Sequence, residues 1–141
     1  MTDSQTLGTL PDAVRQLLHD AIESYEQLEL LLALERSRGK GMSAEDLAEV
    51  VRVRASLIEA ALDALASRRL IAVRNSDTRR FFYEPASDTH DVAVRSLAQY
   101  YAEQPLLVIR LMSEHAIQRA RASVALAFAD AFLLRKDRSD G

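Results

Sequence analysis

The chain of 141 residues contains no cysteine, which excludes a disulfide framework, a thiolate metal site and a cysteine nucleophile. Four glycines and three prolines leave few places to break a helix, so a mainly helical chain is expected. Long hydrophobic runs are missing too. The most apolar stretches, "LELLLAL" and "LLVIRLM", fall far below the ~20 residues of a membrane-spanning helix. The N-terminal "MTDSQTLGTL" has neither a basic region nor an apolar stretch, so no signal peptide and no membrane partner are expected, and a cytoplasmic location follows. Lysine is scarce, with Lys40 and Lys136 standing against sixteen arginines. There is no excess of positive charge either. A net charge of −3 gives no global attraction to nucleic acid and leaves any such role to a local patch. No glycine-rich phosphate loop is present, and His19, His90 and His115 lie far apart without metal-ligand spacing. No metal, no cofactor and no enzymatic activity are expected.

What is present is 48% hydrophobic and 28% charged residues, the balance of one soluble globular domain with helical extensions. After a disordered tail over 1–8, Thr9, Pro11 and Asp12 mark the start of an N-terminal helix spanning 9–23. Its apolar face is Val14, Leu17, Leu18, Ala21 and Ile22. Ser24 with Gln27 gives a second start signal and predicts a break near Glu23. "YEQLELLLAL" is apolar on most faces and predicts a buried central helix, which "RSRGKG" ends with Gly39 or Gly41 in the left-handed region.

Ser43, answered by Asp46, caps the next helix, where Leu47 and Val51 face inward. Val53 fills the turn after it. Ile58, Ala61, Leu62 and Leu65 then recur at i, i+3, i+4 and i+7, the stripe of a third core helix. "IAVRNSDTRRFFYEPAS" follows, two alternating runs around a polar turn within Asn75 to Arg79, and predicts a β-hairpin. Ser87 or Asp88 caps a helix over 88–103, with Val94, Leu97, Ala98 and Tyr101 inward. Beyond Pro105, residues 106–136 read equally as one long helix or as two breaking near Ser113 or Ser123. The C-terminal helices occupy 86–136, and 137–141 should fray.

The order helix, helix, turn, helix and hairpin over 24–85 resembles the winged helix-turn-helix fold. The residues that carry the resemblance are Leu47, Ala48, Val51, Arg52, Val53, Leu62, Leu65 and Leu70. The layout is similar to small bacterial transcription regulators of the multiple-antibiotic-resistance type. That resemblance implies duplex DNA as partner and a homodimer built by the flanking helices. Two positions depart from the pattern, Arg52 in the turn and Arg69 after the third helix, where glycine is common.

The recognition face departs further. By position it carries Ser56, Leu57, Glu59, Ala60 and Asp63, whereas base edges are mostly read by arginine, lysine, asparagine or glutamine. Glu59 can accept from a cytosine amino group and Ser56 can bond either way, but the two carboxylates repel phosphate. The positive charge lies beside this helix: Arg52 and Arg54 at its entrance, Arg36, Arg38 and Lys40 before it, and Arg74, Arg79 and Arg80 on the hairpin. The expected DNA contacts are therefore Arg52, Arg54, Ser56, Glu59, Arg74, Arg79 and Arg80, with the turn and wing arginines dominant. The alternative is a winged-helix module for another protein, with Leu57 and Ala60 as its contact face.

Overall fold

The computed structural model describes residues 10–140, with side chains from Leu10 to Leu133. The expected tails, 1–8 and 137–141, lie outside the described side chains. Helices α1 (Asp12–Asp20), α2 (Tyr25–Arg36), α3 (Ala44–Val50) and α4 (Ala55–Ser67) precede strands β1 (Ile71–Asn75) and β2 (Arg79–Tyr83), and helices α5 (Asp88–Glu103) and α6 (Pro105–Asp140) follow. This is a mainly α-helical winged helix-turn-helix core with flanking helices.

Local chemistry sets most boundaries. At the break between α1 and α2, the Ser24 hydroxyl accepts from the Gln27 amide, while the Gln27 side chain accepts from the Glu23 amide. The Ser43 hydroxyl and Asp46 carboxylate cap each other's amides at the start of α3, satisfying two donors the helix leaves open. Ser87 caps α5. Gln104 ends α5, and Pro105 opens α6, where a proline without an amide hydrogen costs nothing. α1 differs from expectation: its cap is Pro11, with no side-chain bond. Residues 105–140 form one helix rather than two; no glycine or proline interrupts them, and Ser113 and Ser123 are accommodated within it.

Between α2 and α3 the two glycines do different things. Gly39 takes a φ of 81°, the left-handed conformation. Gly41 makes room, since a Cβ there would run into the Phe82 ring. Arg69, after α4, also takes the left-handed region at φ 62°. This is the position where winged helices commonly place glycine, and a side chain there costs on the order of 1 kcal/mol.

The core is built on α2, whose Leu28 and Leu30 to Leu34 are all buried. Leu47 and Val51 reach it from the second helix of the motif, and Ile58, Ala61, Leu62 and Leu65 from α4. Val53 is half-buried in the turn. The hairpin pairs Ile71 with Tyr83, Val73 with Phe81 and Asn75 with Arg79. Because strand side chains alternate, those six share one face, which delivers the fully buried Phe81 to the core. Met42 adds a backbone pair to Phe81 in both directions, at 3.0 and 2.8 Å. α1 then folds back, with Val14, Leu17 and Leu18 buried against α5 and α6.

That packing brings together two histidines that are far apart in sequence. The rings of His19 on α1 and His115 on α6 meet edge to face, 5.1 Å between centroids. His115 Nδ1 is buried without a hydrogen-bond partner. Burial, then the neighbouring His19 and Arg119, hold its pKa below the ordinary histidine value. The other charges facing it are Arg15 on α1 and Glu114 on α6, the latter opposing the shift. A depressed folded-state pKa means that the unfolded chain binds the proton more readily. Stability is thus whole above the ordinary value of about 6.5 and falls as pH drops through the folded value. Thermal unfolding followed between about pH 8 and pH 5 should show this loss, and His115→Asn should flatten it. An unchanged slope in the variant would mean that His115 is not the titrating group.

Candidate nucleic-acid interface

Helix α4 buries one face and presents the other. Ser56, Leu57, Glu59, Ala60 and Asp63 are all exposed, as the apolar stripe required. Arg52 and Arg54 are exposed at its entrance, and Arg54 is its N-cap residue. Among the described residues neither is held in an ion pair. Two unneutralised cations therefore stand where the helix N-terminus already favours anions.

The wing arginines are differently placed. Arg79 lies on the Phe81 face of the hairpin, so its side chain runs toward α4 rather than away from the body. Its guanidinium donates to Glu59 Oε2 at 3.0 Å and to Asp63 Oδ1 at 3.2 Å. The same group sits 5.3 Å from the centre of the Phe81 ring. Glu59 and Asp63 are four residues apart on one helix face, the spacing a planar fork can bridge. Arg80 and Arg74 occupy the opposite face. Arg80 donates to the Gly41 carbonyl at 3.1 Å and lies 3.9 Å from Asp46. Arg74 stands 4.8 Å over the Phe82 ring and 3.7 Å from Glu84. All three side chains are about half exposed or more, so these pairs are worth little individually in stability.

One of the basic residues before α3 is already paired within the chain. Arg38 binds Glu35 at 3.2 Å and Asp91 at 3.6 Å, and lies 5.6 Å from the Tyr83 ring centre. Tyr83 donates to Asp91 at 2.6 Å. Burial and that carboxylate hold the phenol protonated well above its usual range. This corner ties β2 to α5, with Arg38 held on its half-exposed edge. Among the described residues no three potential metal ligands gather, and no helix is long and apolar enough to cross a membrane.

Sequence reading placed the exposed face and the turn cations where they are found. It missed the Arg79 fork. The signal was available in the alternation of "RRFFY", which sets Arg79 on the same face as Phe81.

A second surface stands apart from this one. Every described side chain from Arg121 to Leu133 on α6 is exposed, including Val124 at 64% and Phe128 at 76%. With Ile117, Ala120, Arg121 and Ala125 these two make a largely apolar strip along one face of the helix. The apolar face of α1, by contrast, is covered within the chain.

Compared with known proteins, the chain matches no family model and no curated protein. Among solved structures it is similar to the adhesin competence repressor of Streptococcus pyogenes, at 14% identity over 82% of this chain and 83% of that one, with a TM-score of 0.49. It is similar to the M. tuberculosis transcriptional regulator MosR at 17% identity over 92% and 91% of the two chains, with a TM-score of 0.48. To the YusO protein of Bacillus subtilis the identity is 21%, over 82% and 85%, with a TM-score of 0.45.

Proposed function

We propose that the chain is a DNA-binding transcription regulator that presents α4 to the major groove as a homodimer. The observation that carries this reading is the exposed outer face of α4 with the unpaired Arg52 and Arg54 at its entrance. Those two arginines meet phosphates and fix the helix on the duplex, the role such contacts have in general. Arg74 and Arg80, on the outer face of the wing and only loosely paired, add to the same backbone contact. Ser56, in the first turn of α4, lies within the region that meets base edges in such helices.

The homodimer rests on α6, whose apolar residues from Ile117 to Leu133 have exposed side chains, with Val124, Phe128 and Phe132 among them. Two-fold symmetry then sets two α4 helices against half-sites about one helical turn apart. A competing reading takes the winged helix as a protein-docking module, and the exposed Leu57, at 42%, favours it.

The double variant Arg52→Ala, Arg54→Ala separates the two. It should weaken binding of the dimer to random duplex and lower the dependence of log affinity on log salt by ~4, about one for each phosphate no longer engaged by the two subunits. Titration by fluorescence anisotropy at several salt concentrations measures both. An unchanged slope in a folded variant would take the turn arginines out of the interface.

A further inference from the structure

We infer that Glu59 is a base-reading residue of this interface, an acceptor for a cytosine amino group, and that Arg79 is the positioning residue that lets it serve. The inference rests on the DNA-binding reading above and deepens it.

Two carboxylates on a helix entering the major groove would be repelled by the phosphates on either side. Arg79 removes much of that repulsion from within the chain. Its two guanidinium nitrogens bond one oxygen each of Glu59 and Asp63, at 3.0 and 3.2 Å. The guanidinium also sits 5.3 Å from the centre of the Phe81 ring, itself fully buried. The wing therefore supplies a cation to the recognition helix rather than to the duplex. The fork also fixes Glu59. Arg79 engages Oε2, which leaves Oε1 as an acceptor on a side chain about half exposed. In the major groove the matching donor is the N4 amino group of cytosine. A carboxylate held by a charged fork presents that acceptor in one orientation and at reduced net charge, as direct readout requires. Asp63, one turn further along α4, completes the anchor.

The two roles predict different behaviour for Arg79. A phosphate contact acts alone, whereas a positioning residue acts only while the carboxylates are present. Selection from randomised duplexes and anisotropy titrations on random duplex test this on the full chain, with variants checked for folding by circular dichroism. Wild-type protein should enrich a C·G pair at one fixed position of the site. Glu59→Ala should lose that enrichment and bind random duplex more tightly, because a repelled carboxylate is gone. Arg79→Ala should weaken random-duplex binding roughly tenfold in the wild-type background, as two uncovered carboxylates meet phosphate. In the same selection Arg79→Ala should lose the C·G enrichment as Glu59→Ala does, because the carboxylate is no longer held in one orientation.

If Arg79→Ala keeps the C·G enrichment and lowers the salt slope of the dimer by ~2, Arg79 touches phosphate and the inference is overturned while the proposed function stands. Retention of the cytosine position by Glu59→Ala would overturn Glu59 as reader. Absence of any salt-dependent binding by the wild-type chain would overturn the proposed function, and this inference with it.

Discussion

Phe81→Ala should cost the protein ~3–5 kcal/mol of folding stability, the usual range for emptying a fully buried aromatic site. Phe81 is the largest fully buried side chain the hairpin contributes. It sits opposite Val73 in the ladder and is bonded through its backbone to Met42, so it anchors β2 both laterally and inward. The strand packs on α2 and α3, and removal of the ring leaves a cavity that neither helix can follow. Against a total of ~5–15 kcal/mol for a domain of ordinary stability, the variant should lie near the limit of folding. Denaturant titration followed by circular dichroism measures the shift. Phe81→Leu, which keeps most of the volume, should cost much less. A loss below ~1 kcal/mol for the alanine variant would mean that the wing is not held to the core through this residue. The same experiment bears on the interface, because the ring also lies beside the guanidinium of Arg79.

The second large effect concerns assembly. Val124→Asp with Phe128→Asp should convert a dimer into a monomer at micromolar concentration while leaving the winged core folded. From Arg121 to Asp140, α6 runs about 30 Å at 1.5 Å per residue. Its described side chains are exposed as far as they go. A helix of that length gains little stability alone in water, and Phe128, Phe132 and Leu133 at 59–76% exposure add apolar surface uncovered among the described residues. Each such side chain is worth ~1.5–3 kcal/mol when buried, and a two-fold interface counts each twice. Carboxylates introduced in the middle of this apolar face would have to be desolvated without partners. Analytical ultracentrifugation should show the loss of half the mass, and a monomeric wild-type protein would contradict the assembly outright.

The core was legible because its residues obey a period. Ile58, Ala61, Leu62 and Leu65 are spaced for one helix face, and Ser43 with Asp46 can hardly be anything but a cap. The hairpin followed from polar residues set between two alternating runs. Side-chain partnerships across elements were not legible in the same way. Arg79 and Glu59 are twenty residues apart, and only the docking of β2 beside α4 joins them. The expectation that the wing arginines reach outward treated the three as equivalent, whereas strand alternation sends Arg79 inward and Arg74 and Arg80 outward. His19 and His115 were separated for the same reason, since nothing local says that α1 returns to pack on α6. The dimer was expected from both flanking helices; the apolar face of α1 is covered by α5 and α6, and among the described residues exposed apolar surface lies on α6 from Ile117 to Leu133. Helix length was ambiguous because serine both caps helices and sits within them. Ser113 and Ser123 do the latter.

The central claim is that α4 and its flanking arginines bind duplex DNA. It is tested most directly by titrating the unmodified protein with random-sequence duplex at several salt concentrations. A basic contact with the backbone releases counterions, so affinity must fall linearly in logarithmic terms as salt rises, with a slope close to one for each phosphate engaged. The expected slope for the dimer is at least ~4, from Arg52 and Arg54 in each of its two subunits. Absence of measurable binding at low salt, or an affinity indifferent to salt, would contradict the claim and leave the winged helix as a surface for a protein partner.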